Sequence, residues 1–342
     1  MKKISMLLAM FLLSMTAIIG CSGNTAGTNS NGNSEQNGSG SNDPIVINIG
    51  TTTTEDSSFP QAMKLFKEEV EGKTNGEIKV NLHYNSALGG EREMVEAASI
   101  GTLEGAMVSS AVITNFVPEM AVLDIPFIFE DLEHARSAMQ GEAGKLLGEK
   151  MENANLKLLS WGETGFRHIT NNERPIEKPE DLEGLKIRTM ENNVHLEAFQ
   201  ELGADPTPMA WGEVFTSLQQ GVIDGQENPI FILYVNNLEE VQKYTSRTGH
   251  VYSAGALLLS KQLFDSLTEE QQEIVITAAQ NGAQANYDYN DEKEAEYQAE
   301  MESKGMVFNE VDKAPFIEAL KPITDKYKDA SPEVYEAIMN AK

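Results

Sequence analysis

The sequence predicts an α/β fold in two lobes, and three observations carry that prediction. Strand-like and helix-like stretches alternate at a pitch that implies βαβ units around a mostly parallel sheet, in two separate cycles. A pattern of acid, apolar helix, glycine, strand entry, acid and glycine occurs twice, in "EMVEAASIGTLEGA" at 93–106 and "EVFTSLQQGVIDGQ" at 213–226. Glu93, Gly101, Leu103, Glu104 and Gly105 face Glu213, Gly221, Ile223, Asp224 and Gly225 at a constant offset of 120, as a duplicated lobe would give; convergence on a glycine-closed helix is the alternative. Lastly, 268–304 is continuously helix-compatible. At ~1.5 Å per residue it reaches across both lobes if unbroken, or forms two helices divided at Asn281-Gly282.

The elements follow in order. The first 21 residues carry a basic start, Lys2 and Lys3, an apolar run from Ile4 to Ile19, and Gly20 before Cys21, the only cysteine. That is the layout of an export signal, too short to favour a membrane span. Its end, Ile18-Ile19-Gly20-Cys21, resembles the lipobox of bacterial lipoproteins. The expectation is therefore a lipoprotein signal peptide at 1–20, a lipidated Cys21 and membrane attachment through it. Residues 21–43, almost wholly Ser, Gly, Asn and Thr after the cysteine, carry too little apolar surface to fold and read as a tether.

"PIVINIG" at 44–50 alternates and is β-branched, which predicts a strand. Met63, Phe66 and Val70 share one face of a helix over 60–72, closed by Gly72 and Asn75-Gly76. "EIKVNLHY" at 77–84 is a second strand, Glu91 to Ile100 a helix, and "TLEGAMVSS" a buried strand. The second cycle opens with "LKLLSWGE" and "LKIRTM" as strands. It continues with a helix in "NNVHLEAFQELG", capped by Asn and ended by Gly203, then a helix in "WGEVFTSLQQG", and a strand entered through "VIDGQE".

The formal net charge is −27, and removal of the signal peptide takes it to about −29. An acidic surface of that size excludes nucleic acid as a partner and excludes charge-driven binding to anionic lipid. The five histidines have no paired metal-ligand spacing, so no metal site is expected, and no cofactor. Neither a G-x-S-x-G elbow nor an H-E-x-x-H motif is present. Gly72-Lys73-Thr74 imitates the end of a phosphate-binding loop, but Lys67 occupies the first glycine position. A non-enzyme is the expectation.

One arginine stands out. In open α/β sheets ligands bind beyond the carboxyl ends of strands, and Arg188 in "GLKIRTM" lies at such an end with a helix following. A second, Arg167 in "WGETGFRHITNN", comes just after a predicted strand where the first lobe ends. Two guanidinium forks at one cleft suit a carboxylate.

The run "GLKIRTM…LGADPTPMAWGEVFTSLQQGVIDGQENP" at 184–229 closely resembles the extracytoplasmic solute-binding proteins of TRAP transporters, the tripartite ATP-independent systems for organic acids. "LGGEREMVEAASIGTLE" at 88–104, "FVPEMAVLDIPFIF" at 116–129, "GFRHITNNERPI" at 165–176 and "EVQKY" at 240–244 extend the resemblance from about Ile45 to the C-terminus. It implies a two-lobed, type II-like periplasmic-binding-protein fold, each lobe a mixed sheet flanked by helices. Residues 44–164 with 254–290 would form lobe I, 165–253 with 306–342 lobe II, and 268–304 a helix spanning both.

The resemblance also implies roles. Arg188 would form the principal salt bridge to a ligand carboxylate, Arg167 would be the arginine after the interlobe crossing, Asn228 would donate to the same carboxylate, and Trp211 would pack on the ligand. Arg92, Ser109, Asn115 and Glu55 fall in first-lobe segments that shape the rest of the pocket. Hydroxyl-pairing side chains there favour a sugar acid such as a uronate or aldonate, with a C4-dicarboxylate as the alternative. The implied partners are that small organic acid and the small and large subunits of a membrane permease, served by a monomer outside the cytoplasm. An ABC-type or sensory binding lipoprotein would use a similar architecture.

Overall fold

The computed structural model describes residues 43–341; the expected signal peptide, Cys21 and all but the end of the tether lie outside the described residues. The chain runs β1 (Ile45–Gly50), α1 (Ser58–Lys73), β2 (Ile78–His83), α2 (Glu91–Ser99), β3 (Gly105–Ser109), α3 (Ser110–Ile113), α4 (Leu132–Gln140) and α5 (Glu142–Met151). Next come β4 (Leu156–Asn171), β5 (Lys186–Thr189), α6 (Asn193–Glu201), β6 (Asp205–Pro208), α7 (Trp211–Gln219), β7 (Gly225–Pro229) and α8 (Ile230–Val235). The remainder is β8 (Tyr244–Ser260), α9 (Lys261–Ser266), α10 (Glu269–Ser303), β9 (Val307–Glu310), α11 (Ala314–Ala319), α12 (Lys321–Tyr327) and α13 (Pro332–Met339). A 3₁₀ segment, Pro118–Asp124, follows α3.

The strands form one mixed sheet in the order β2-β1-β3-β8-β4-β7-β5-β6, with β9 beside β8. The two groups of α/β units are thus the two halves of a continuous sheet and not two separate ones. β4 and β8 join them: 16 and 17 residues long, they pair antiparallel from Leu156↔Ser260 to Asn171↔Tyr244, with register shifts at Leu158/Ser160, Glu163/Gly165 and Arg167/Ile169. Arg167 therefore sits inside a long strand, where the sequence pattern had placed it after one. The bulges break the alternation that would have shown the continuity, and Gly165 takes a left-handed φ of 100° at one of them.

The repeated sequence pattern occupies equivalent places in the halves. β1 pairs parallel with β3 through Ile49↔Gly105, and β5 with β7 through Ile187↔Gly225, the same register at the same repeat position. Glu104 Oε2 accepts from the Asn48 N–H at 3.1 Å and Asp224 Oδ2 from the Lys186 N–H at 2.8 Å, so each repeat acid holds the neighbouring parallel strand. A Cβ on Gly105 would lie 2.7 Å from Leu258 O, and one on Gly225 2.1 Å from Thr170 O. Only glycine fits where a long antiparallel strand crosses so closely.

Helices cover both faces. Phe59, Met63, Phe66 and Val70 of α1 pack with β1, β2 and the first half of α10, whereas Tyr297 and Met301 near the end of α10 pack with Val214 and Leu218 of α7 and with α8. A single unbroken α10, about 52 Å long at ~1.5 Å per residue, thus reaches both halves of the sheet. At its middle Asn286 accepts from the Glu163 N–H at 2.8 Å and donates to Glu163 O at 3.1 Å, which fixes the helix to β4. The C-terminal stretch contacts both halves: Phe316, Leu320 and Ile323 pack with β5 and α6, but Val334 and Ile338 pack with α5 in the first half. Among the described residues, no helix is long and apolar enough to cross a membrane.

Candidate functional site

β1 and β3 run along β4 whereas β5 and β7 run against it, so the two parallel pairs point at each other from opposite ends of β4 and their carboxyl ends meet near its middle. There the protein encloses a cavity with about 610 Å³ of empty space, its open mouth included. Thr52 and Thr53 follow β1, Ser109 ends β3, Arg188 is near the end of β5 and Asn228 near the end of β7; all line it. Arg167 of β4, Ser253 of β8 and Trp211 at the start of α7 complete that side.

Arg188 is 3 % exposed and among the described residues forms no ion pair. Its Nε and Nη2 donate to the Met209 carbonyl at 2.9 and 2.6 Å, and its Cζ lies 5.7 Å from the Trp211 ring centroid. Met209 N–H bonds back to Thr189 O at 3.2 Å, so the segment that grips the guanidinium is pinned to the arginine's own strand. Burial, opposed by Glu227 and aided by Arg167, lowers the Arg188 pKa to about 10, which leaves it a cation at neutral pH. An acidic protein thus keeps one buried guanidinium whose charge no carboxylate neutralises at contact distance.

Arg167, equally buried, is different. Its Nε and Nη2 grip the Glu227 carboxylate, Nη2 at 2.8 Å from Oε1, and Nη2 also donates to Glu227 O at 2.6 Å; only Nη1 turns to Ser253 Oγ, at 3.4 Å. Burial alone would raise the Glu227 pKa, but Arg167 with His195 and His250 holds it well below the usual carboxylate range. Asn228 donates to Gln226 Oε1, and Gln226 donates to Thr170 at 2.9 Å, so the amide is oriented from behind.

The other expected residues separate. Ser109 lines the cavity, with Oγ 3.8 Å from Met190 Sδ. Arg92 and Asn115 are exposed at the rim and reach Glu191 instead, Arg92 Nη1 at 3.9 Å from Oε1 and Asn115 Nδ2 at 2.8 Å from its carbonyl. Glu55 stands outside, 62 % exposed and 3.6 Å from Lys64, because the chain turns away after Thr54 to start α1. None of these three lines the cavity.

Sequence reasoning missed Thr52, Thr53, Phe59, Glu91, Glu191 and Ser253. The same rule that selected Arg188 would have selected the threonines, which directly follow a strand. Glu91, next to the chosen Arg92, opens α2; its Oε1 accepts from the Ser109 N–H at 3.0 Å, and burial raises its pKa against that bond and the two arginines. The cavity that holds two guanidiniums is therefore lined also by a carboxyl group with one oxygen bonded to the backbone. Such a site can take a carboxylate at one end and a hydroxyl donor at the other.

Known proteins resemble the chain in sequence and in fold. The model of the bacterial extracellular solute-binding proteins, family 7, matches residues 49–330. The 2,3-diketo-L-gulonate-binding periplasmic protein YiaO of Escherichia coli is 36% identical over 234 residues, 68% of this chain and 71% of that one. A TRAP periplasmic solute-binding protein from a Polaromonas species, bound to D-erythronate, superposes with a TM-score of 0.85 at 41% identity, over 87% of this chain and 99% of that one. One from a Sulfitobacter species with bound β-D-galacturonate gives 0.83 at 34% identity, over 86% and 98%. On the family match and these relatives, the chain belongs to the bacterial extracellular solute-binding proteins of family 7.

Proposed function

We propose that this chain is the extracytoplasmic receptor of a TRAP transporter for a small sugar acid, an aldonate or uronate. The carboxylate bridges to Arg188, Asn228 donates to it, Trp211 packs against its carbon chain, and the second guanidinium, Arg167, borders the same end through Nη1. Hydroxyls of the ligand meet Glu91, Ser109 and the threonines after β1. The receptor then delivers the acid to the small and large permease subunits as a monomer, held at the outer face of the membrane by a lipid on Cys21 and the tether over 21–43.

The observation that carries this reading is the Arg188 guanidinium, without an ion pair at contact distance, in a cavity that the Glu91 carboxyl group also lines. A C4-dicarboxylate would set its second carboxylate against Glu91 and Glu191, whereas a hydroxyl donates to them. The relatives bound to D-erythronate and galacturonate support the class.

A thermal-shift screen of the domain from residue 44 onward, with aldonates, uronates and C4-dicarboxylates, tests it. A cognate acid at 100 times its dissociation constant stabilises the fold by ~2.7 kcal/mol. A melting point raised by succinate and unmoved by every sugar acid would refute the assignment of class. For the anchor, metabolic labelling of the full chain with a fatty acid should mark the wild type and not the Cys21→Ser protein; equal labelling of both would rule it out.

A further inference from the structure

His195 belongs to the first turn of α6 and is 2 % exposed. Its Nε2 lies 3.2 Å from Asp124 Oδ1, and its Nδ1, buried and without a hydrogen-bond partner, stands 3.6 Å from Glu227 Oε1, so a carboxylate oxygen lies nearest each ring nitrogen. A neutral imidazole carries one N–H and one lone pair and would aim the lone pair at one of those anions; only the imidazolium offers an N–H to both. Neither carboxylate is free to turn away. Asp124 is held by Asn192 Nδ2 at 2.8 Å and Thr114 at 3.4 Å, and Glu227 by Arg167 and by His250 Nε2 at 3.2 Å.

The neighbouring histidine shows the contrast. His250 faces Glu227 alone, with its Nδ1 on Thr248 Oγ1 at 2.8 Å. Burial, with Arg167 and His195 nearby, lowers its pKa, whereas the two carboxylates outweigh burial at His195 and raise it to about 9. The charges then alternate along the chain Asp124, His195, Glu227, Arg167 and sum to zero. Arg188 stands outside that chain.

We propose that His195 is a positioning residue for carboxylate capture: as a cation clamped between Asp124 and Glu227 it neutralises the surplus anion behind the Arg167–Glu227 pair, so that Arg188 presents its full charge to the ligand. The role rests on the carboxylate-binding reading of the cavity, and His195 acts through Glu227 without lining the cavity itself. The charged and titratable groups that face it are Asp124 from the 3₁₀ segment and Glu227 from β7, with Arg167 of β4 and His250 of β8 behind Glu227.

A charge-compensation experiment tests this. His195→Gln leaves Asp124 unbalanced and should weaken sugar-acid binding on the order of ten-fold at pH 7. Asp124→Asn combined with His195→Gln removes both charges, restores the zero sum and should recover most of the affinity, with melting curves confirming that both variants fold. Wild-type affinity should also begin to fall as the pH rises through about 9, whereas that of His195→Gln should fall only later, as Arg188 loses its charge near 10. A double variant that binds no better than the single one would overturn the proposal. Independently of any ligand, ¹⁵N NMR of the wild-type domain at pH 7.5 should show both His195 ring nitrogens protonated; a neutral tautomer there would overturn it even if the cognate acid proved to be of another class.

Discussion

The Arg167 guanidinium and the Glu227 carboxylate form a two-pronged ion pair in which both side chains are almost wholly buried, with Nη2 2.8 Å from Oε1. Breaking one partner of such a pair leaves a buried charge without compensation. Glu227→Gln keeps the shape and removes the charge, and should destabilise the fold by about 3–5 kcal/mol in urea unfolding. A loss below about 1 kcal/mol would show that solvent reaches Arg167.

Stability should peak near neutral pH. His195 has a folded pKa raised to about 9, so its contribution is complete below its ordinary value of 6.5 and is lost as the pH rises through 9, by about 3 kcal/mol. His168 and His250, lowered by burial, contribute above 6.5 and lose that contribution as the pH falls toward their folded values. Glu227, held low, contributes above 4.5 and is lost further down. Urea unfolding from pH 5 to 10 checks this; a flat curve between 7 and 9 would contradict the raised His195.

Two glycines in helices should respond in opposite directions to alanine. A Cβ on Gly282 in α10 would sit 2.6 Å from the Ala62 carbonyl of α1, a backbone atom that cannot swing away. Helix propensity alone favours alanine by about 1 kcal/mol, but overpacking costs about 1–3 kcal/mol, so Gly282→Ala should destabilise. Gly72 in α1 has nothing within 4 Å of its Cβ position, and Gly72→Ala should stabilise by up to about 1 kcal/mol. Thermal melts of the two variants settle the signs.

Glu91→Gln should change selectivity more than stability. The amide can still accept from the Ser109 N–H but no longer repels a second carboxylate. Calorimetry should show sugar-acid affinity reduced on the order of ten-fold, about 1.4 kcal/mol, and succinate affinity increased. Unchanged values for both ligands would remove Glu91 from the binding surface.

Much of this was legible in the sequence, for identifiable reasons. Elements with one clear period, such as α1 with Met63, Phe66 and Val70 buried, or α6 with its Asn192 cap, match their expected places. The continuity of β4 and the existence of β8 were not legible. Both run through the middle of the sheet with nearly every residue buried, so neither face alternates, and bulges interrupt what pattern remains. Of the residues that line the cavity, Arg188 and Arg167 follow from their places by strand ends, whereas Trp211, Asn228 and Ser109 rest on the family resemblance. Glu55, Arg92 and Asn115 do not line it, and their directions are set by contacts that the sequence does not display, here Lys64 and Glu191. His195 and Asp124 are far apart in sequence and become a pair only when α6 meets the 3₁₀ segment.

The central claim is that Arg188 holds the ligand's carboxylate. Isothermal titration of the wild-type domain and of Arg188→Ala with the sugar acid that gives the largest thermal shift tests it most directly. Truncating a buried charge partner costs about 2–5 kcal/mol, so the variant should bind about 30-fold to several thousand-fold more weakly while melting as a folded protein. An affinity within about three-fold of wild type would contradict the account.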